Sequence, residues 1–124
     1  MTGDVLVVRR GPEAQPHYGI DWGGGRVAHV QAGGVAAVVS WQIFSRGFPV
    51  DLARPATPEE VPGIVARVQS QLDREYNLVT FNCETLVHYA VTGEFRSWTV
   101  EGVVKLGAVV FIGLAVVAAL EAAA

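Results

Sequence analysis

The residues of this chain best suited to chemistry are its one cysteine and two of its three histidines. Cys83 follows Asn82, where a helix is predicted to begin. The first-turn N–H groups and the positive end of the helix dipole favour a thiolate there, and the thiolate is the reactive form. An activated thiol also needs a base within hydrogen-bond reach, usually histidine. The position predicts a nucleophile, and the alternative is a buried structural cysteine.

His17 and His29 lie twelve residues apart across a run of three glycines that begins at Gly23. If the hairpin closes about Gly23, residue 17 pairs with residue 29 and the two imidazoles share one face, with Cβ atoms about 5 Å apart. A two-residue turn at Gly23 and Gly24 would place them on opposite faces. In the first register one histidine takes the thiol proton and the other orients it, as in a Cys-His-X triad.

Other polar and aromatic residues are assigned structural or surface roles. The histidines and the cysteine have zinc-ligand chemistry, but no acidic partner is evident nearby, so no metal and no cofactor are expected. His88 comes five residues after Cys83, about 140° around the helix, and is predicted to be a solvated surface residue. Glu84 complements the helix dipole. Three aromatic residues are expected in the core, with contact to a lipid interface as the alternative: Trp41, Phe44 and Phe48.

The elements that must position these side chains are short strands followed by two helices. Strands are predicted over residues 4–10 and on both sides of the glycine turn in 17–30, with weaker candidates at 35–39 and 42–44. A helix is predicted to begin at Thr57 as N-cap, with Pro at its first position, and to run to about residue 75. A second runs from Asn82 to Gly93, with Cys83, Leu86, Val87 and Ala90 on one face. The pattern indicates an α+β fold.

Composition excludes several classes of protein. The net charge is −3, and a single lysine and eight scattered arginines form no basic stripe, so no nucleic-acid partner is expected. A lone cysteine excludes a disulfide scaffold. The first residues carry an acid and only a short apolar run, which predicts no secretory signal.

The C-terminal segment, residues 99–124, is predicted to be a hydrophobic helix that anchors the chain in a membrane. Between Gly102 and Leu120 its only charge is Lys105, and that length of helix spans about 28 Å, close to the bilayer core. Arg96 and Lys105 precede or begin the apolar run and only Glu121 follows it, which keeps residues 1–98 cytoplasmic. The alternative is a helix packed on the domain or on another subunit, which leaves a homo-oligomer open.

These motifs together resemble the lecithin retinol acyltransferase-like family, which includes small membrane-tethered phospholipases and acyltransferases. The resemblance rests on Gly3-Asp4, on His17-Tyr18-Gly19-Ile20, on His29 and on Asn82-Cys83-Glu84 with the run 75–78 before it, and it covers roughly residues 3–98. It implies a circularly permuted papain-like fold with the histidines before the cysteine. Thr85-Leu86 and Gln15-Pro16 depart from the family's usual residues, so substrate identity does not transfer.

The resemblance implies that Cys83 is the nucleophile, His17 the general base and His29 the orienting residue. The backbone N–H of Cys83 is one plausible oxyanion donor. The expected reaction is acyl transfer or hydrolysis of a glycerophospholipid ester through an acyl-thioester at a membrane surface. The alternatives are a membrane-tethered cysteine peptidase or isopeptidase, and a non-catalytic adaptor or effector that keeps the fold.

Overall fold

The computed structural model of the protein describes residues 1–12 and 14–95, which form an α+β fold around a small antiparallel sheet. The strands lie side by side in the order β4-β3-β2-β1-β5. In chain order the elements are β1 (Val5–Val8), β2 (His17–Gly23), β3 (Arg26–His29), β4 (Ala37–Ser40), α1 (Trp41–Ser45), β5 (Val50–Arg54), α2 (Val61–Gln69) and α3 (Cys83–Thr92).

Successive strand residues point to opposite faces of the sheet, and helices cover both faces. On one face α2 and α3 bury a cluster that includes Ile20, Ala28, Ile64, Val68, Val87 and Ala90. On the other, Phe44 of α1 packs with Leu6, Val8 and Val27. The hydrophobic face predicted for α3 is confirmed, since Leu86, Val87 and Ala90 are all buried.

Two predictions about the middle of the chain are wrong, and one strand was missed. Residues 42–44 belong to helix α1, because Ser40 caps it through a hydrogen bond from the Ile43 N–H and Phe44 then turns into the core. Strand β5 was not predicted. The helix expected from Thr57 to residue 75 is shorter at both ends and is α2, Val61–Gln69. Pro62 lacks an N–H, and the first turn of a helix that begins at Val61 accommodates it.

Asp4 of the Gly3-Asp4 motif has a structural role. Its carboxylate accepts a hydrogen bond from the Ala56 N–H at 2.8 Å and lies 3.0 Å from the N-terminal ammonium of Met1. Asp4 therefore ties the start of β1 to the chain that leads into α2.

The anchor predicted over residues 99–124 lies outside the described residues. Within residues 1–12 and 14–95, no helix has both the length and the apolar character needed to cross a bilayer.

Candidate active site

The two histidines of the β2–β3 hairpin are hydrogen-bonded to each other. His17 Nε2 lies 2.8 Å from His29 Nδ1, and the ring centroids are 5.0 Å apart in an edge-on arrangement. His29 is almost fully buried and His17 is partly buried. The structure thus brings together the pair that the sequence predicted to share one face.

The predicted hairpin register is wrong, although the predicted face is right. Ile20 pairs with Ala28 and Asp21 with Val27, and the register shifts before Gly23 pairs with Arg26. Continued along β2, this pairing puts residue 19 opposite residue 29, so His17 and His29 are diagonal neighbours. The turn is at residues 24 and 25, where both glycines have positive φ angles of 64° and 75°, as a two-residue hairpin turn requires.

Gly19 leaves the space that lets the two histidines meet across the diagonal. A Cβ atom on Gly19 would lie 2.6 Å from a Val27 methyl carbon and 2.7 Å from a Phe44 ring carbon. The Phe44 ring fills this space, with its centroid 5.3 Å from that of His17 and 5.8 Å from that of His29. Of the three aromatic residues, Phe44 is therefore a core residue that supports the site, Trp41 packs partly against the same cluster and Phe48 is 40% exposed.

Cys83 is the first residue of α3, as predicted. Asn82 is the N-cap: its side-chain oxygen accepts the Thr85 N–H at 3.0 Å, while the Thr85 hydroxyl accepts the Asn82 N–H at 2.7 Å. This reciprocal capping box gives a structural role to Thr85, one of the residues that depart from the family's usual pattern. Gly93, with a φ of 83°, ends the helix as predicted.

The thiol of Cys83 lies against strand β2 at Tyr18, the neighbour of His17 along the chain. The backbone N–H of Tyr18 donates a hydrogen bond to the thiol and so lowers the pKa of the thiol. The N–H groups at the helix start lower the pKa of the thiol, as expected, but they do not set the direction of its shift. Burial raises the pKa of the Cys83 thiol and the nearby Glu84 charge adds to this, outweighing the N–H groups of Tyr18, Glu84 and Cys83 itself, which lower it.

Burial also holds both imidazoles neutral. It lowers the pKa of His17 to about 3, with further lowering by His29, Arg10 and Arg46. It lowers the pKa of His29 to about 4, and the two arginines again contribute. At neutral pH the resting site therefore holds a neutral thiol and two neutral imidazoles.

The hydrogen bond between the rings needs one donor nitrogen and one acceptor nitrogen, so the two tautomers are linked. For His17 to accept a proton on Nδ1, its neutral ring must carry hydrogen on Nε2, which then donates to Nδ1 of His29. His29 in turn carries its hydrogen on Nε2. This arrangement keeps one nitrogen of His17 basic and lets His29 stabilise the cation that forms on protonation.

Arg10 is a site residue that the sequence analysis missed. Its guanidinium donates to the Phe44 carbonyl and, at 2.9 Å, to the Gln31 side-chain oxygen. Its charge lowers the pKa of both histidines. The only sequence signal is its place two residues beyond β1, next to Arg9, which is exposed.

The remaining candidates lie around this centre. Glu84 is in the first turn of α3, as predicted. His88 is half-buried rather than fully solvated, because its Nδ1 lies 3.1 Å from both the Glu94 carbonyl and the Thr92 hydroxyl. Among the described residues, no group of three or more His, Cys, Asp and Glu is placed to hold a metal ion.

No protein-family model matches the chain, and no curated protein matches it.

Proposed function

We propose that this protein is a thiol-dependent acyltransferase or phospholipase A-type hydrolase of the lecithin retinol acyltransferase-like family, with its permuted papain-like fold. The observation that carries the proposal is the 2.8 Å hydrogen bond between His17 of β2 and His29 of β3. Tyr18, next to His17 on β2, has its backbone N–H facing the Cys83 thiol. A nucleophile, a base and an orienting group are the three parts that covalent acyl transfer needs.

Catalysis begins from the neutral site. Cys83 Sγ attacks the ester carbonyl carbon while His17 takes the thiol proton, so no free thiolate has to form first. His29 accepts the Nε2–H of the resulting His17 imidazolium and steadies it. The backbone N–H of Cys83, at the start of α3 where N–H groups lack helical partners, donates to the oxyanion.

Collapse of the tetrahedral intermediate breaks the carbonyl carbon–alkoxide bond. The leaving alcohol takes the proton from His17, and the acyl group stays on sulfur as a thioester. Water or an amine then attacks the thioester carbonyl, and its proton passes through His17 back to the Cys83 sulfur. The cycle ends with the starting thiol and either a fatty acid or an acylated amine.

Exposed apolar residues beside the nucleophile favour a lipid substrate. Leu78 and Val79, in the loop just before Cys83, are 57% and 60% exposed. Side chains of this kind at the mouth of a site suit contact with a membrane surface. The segment 99–124 would act as the membrane anchor and keep the domain, on the cytoplasmic side, beside its substrate.

The test is the intact mass of the full-length protein after incubation with a short-chain phosphatidylcholine. Wild type should gain one acyl group, removable by hydroxylamine, and the Cys83→Ala variant should gain none. His29→Ala should acylate more slowly while keeping the wild-type tryptophan fluorescence. Absence of the adduct, with Cys83 still open to alkylation, would reject the lipid reaction and leave peptide substrates to be tried.

A further inference from the structure

A groove of about 480 Å³ lies between α3 and the edge of the sheet. One wall is formed by Val87 and Val91 of α3, and the other by Val5 and Ala53. Tyr18 also lines it, and the lining is largely carbon. Nothing in the catalytic steps above uses this groove.

The lining of the groove begins at Val87, one turn of α3 beyond the nucleophile. Cys83, Val87 and Val91 are spaced by four residues and so lie along one side of α3. Tyr18 connects the two features directly, because its backbone N–H faces the thiol and its residue lines the groove. An acyl group on Sγ that extends along this side of α3 therefore reaches an apolar groove one helical turn from the thiol.

The length of the groove sets the length of chain that fits. Its far end reaches Thr92, nine residues beyond Cys83, which is about 14 Å along the helix axis. A zigzag carbon chain with bonds of about 1.5 Å advances roughly 1.3 Å per carbon. About ten carbons thus reach from the thiol to the level of Thr92, and Arg54 and His88 are the charged or titratable residues of the lining.

A strand irregularity shapes the sheet side of the groove. The pairing of β1 with β5 shifts between Val5, which pairs with Arg54, and Leu6, which pairs with Leu52. Ala53 is the residue left over, and a bulged residue re-aims the strand locally. Its small side chain leaves room that a larger residue would close.

We propose that this groove is the acyl-chain subsite of the enzyme and that it takes the first ten or so carbons of the chain carried on Cys83. The inference rests on the proposed function. It adds that the enzyme selects its acyl donor by chain length and that Ala53 and Val91 set the limit.

The experiment measures acylation of Cys83 by p-nitrophenyl esters from butanoyl to decanoyl. Full-length protein is held in nanodiscs of an ether-linked phosphatidylcholine, which has no ester to cleave, and intact mass gives the initial rate. Each rate of Cys83 acylation is divided by the rate at which the same ester reacts with a free thiol in solution. Wild type should gain up to roughly fourfold per added methylene, the ratio that complete burial of one methylene supplies.

Ala53→Trp should lose the gain in rate beyond hexanoyl, measured relative to its own butanoyl rate, because the ring fills the groove. Val91→Phe fills the groove from the opposite wall and should also lose the gain in rate with longer chains. It tests the proposal independently if Ala53→Trp fails to fold. Leu52→Trp is the matched control: it adds the same ring to the same strand at a residue outside the groove lining, and it should keep the wild-type profile.

The outcomes separate the two proposals. If wild type and both groove variants acylate with the same dependence on chain length, the acyl subsite is rejected while the thiol chemistry stands. That result would also follow if another part of the chain or a second copy fills the groove. If wild type forms no thioester with any ester, the proposed function and the subsite are rejected together.

Discussion

Lowering the pH from about 7.5 to about 5 should destabilise the folded chain through the histidine pair. Burial lowers the pKa of His17 to about 3 and of His29 to about 4, from an ordinary value of 6.5. Between these values the unfolded chain binds protons that the folded chain does not, so stability is full above the unfolded pKa and falls as the pH drops toward the folded values.

The magnitude follows from the same numbers. At pH 5 an unfolded histidine gains about 2 kcal/mol from protonation, and a folded one with a pKa of about 3 or 4 gains almost nothing. Two such residues give at most about 4 kcal/mol, and the partial exposure of His17 reduces this to about 3 kcal/mol. A loss of that size is a large part of the roughly 5–15 kcal/mol that a domain has.

The assay is urea unfolding of the full-length chain in a mild detergent, followed by tryptophan fluorescence at several pH values. The double variant His17→Gln/His29→Gln should lose most of the acid dependence between pH 7.5 and 5. His88→Gln, which removes a histidine outside the pair, should keep it. An acid dependence that persists unchanged in the double variant would refute the claim that burial of these two imidazoles causes it.

Three further substitutions test the supports of the site. Gly19→Ala should cost about 1–3 kcal/mol of unfolding free energy through overpacking against Phe44 and should slow Cys83 acylation; wild-type values in both measurements would contradict the packing argument. Arg10→Met should raise the pKa of both histidines, measured by NMR titration, because it removes a cation that lowers them; unshifted titrations would show that this charge does not act on the pair. Thr85→Val should cost about 1–3 kcal/mol in urea unfolding by leaving the buried Asn82 N–H without its acceptor, whereas Thr85→Ser should restore most of it; equal stability of the two variants would argue against the capping box.

Local signals predicted the elements that carry the site. The β-branched residues of β1, the glycine turn between β2 and β3 and the Asn82 cap of α3 each act over a few residues, so they can be read without knowing the fold. The shared face of the two histidines was open in the sequence, because it depended on the register of the hairpin. The long-range part failed: β5 was missed, since its pairing with β1 depends on contacts across more than forty residues of sequence.

The electrostatics of the site followed the tertiary structure rather than local sequence. From its place at a helix start, Cys83 was expected to ionise readily, but burial against β2 reverses the direction of its pKa shift. Arg10 was not recognised, because its interactions with Gln31 and Phe44 form only after the strand and α1 have packed together.

By itself, the sequence determined which residues have the chemistry for acyl transfer and which short elements hold them, because residue type, capping and strand alternation are local properties. Only the tertiary structure decided the diagonal His17–His29 hydrogen bond, the neutral state of the site and the groove along α3. Each of these depends on the distance and burial of groups far apart in the chain, and burial exists only once the helices have packed on the sheet.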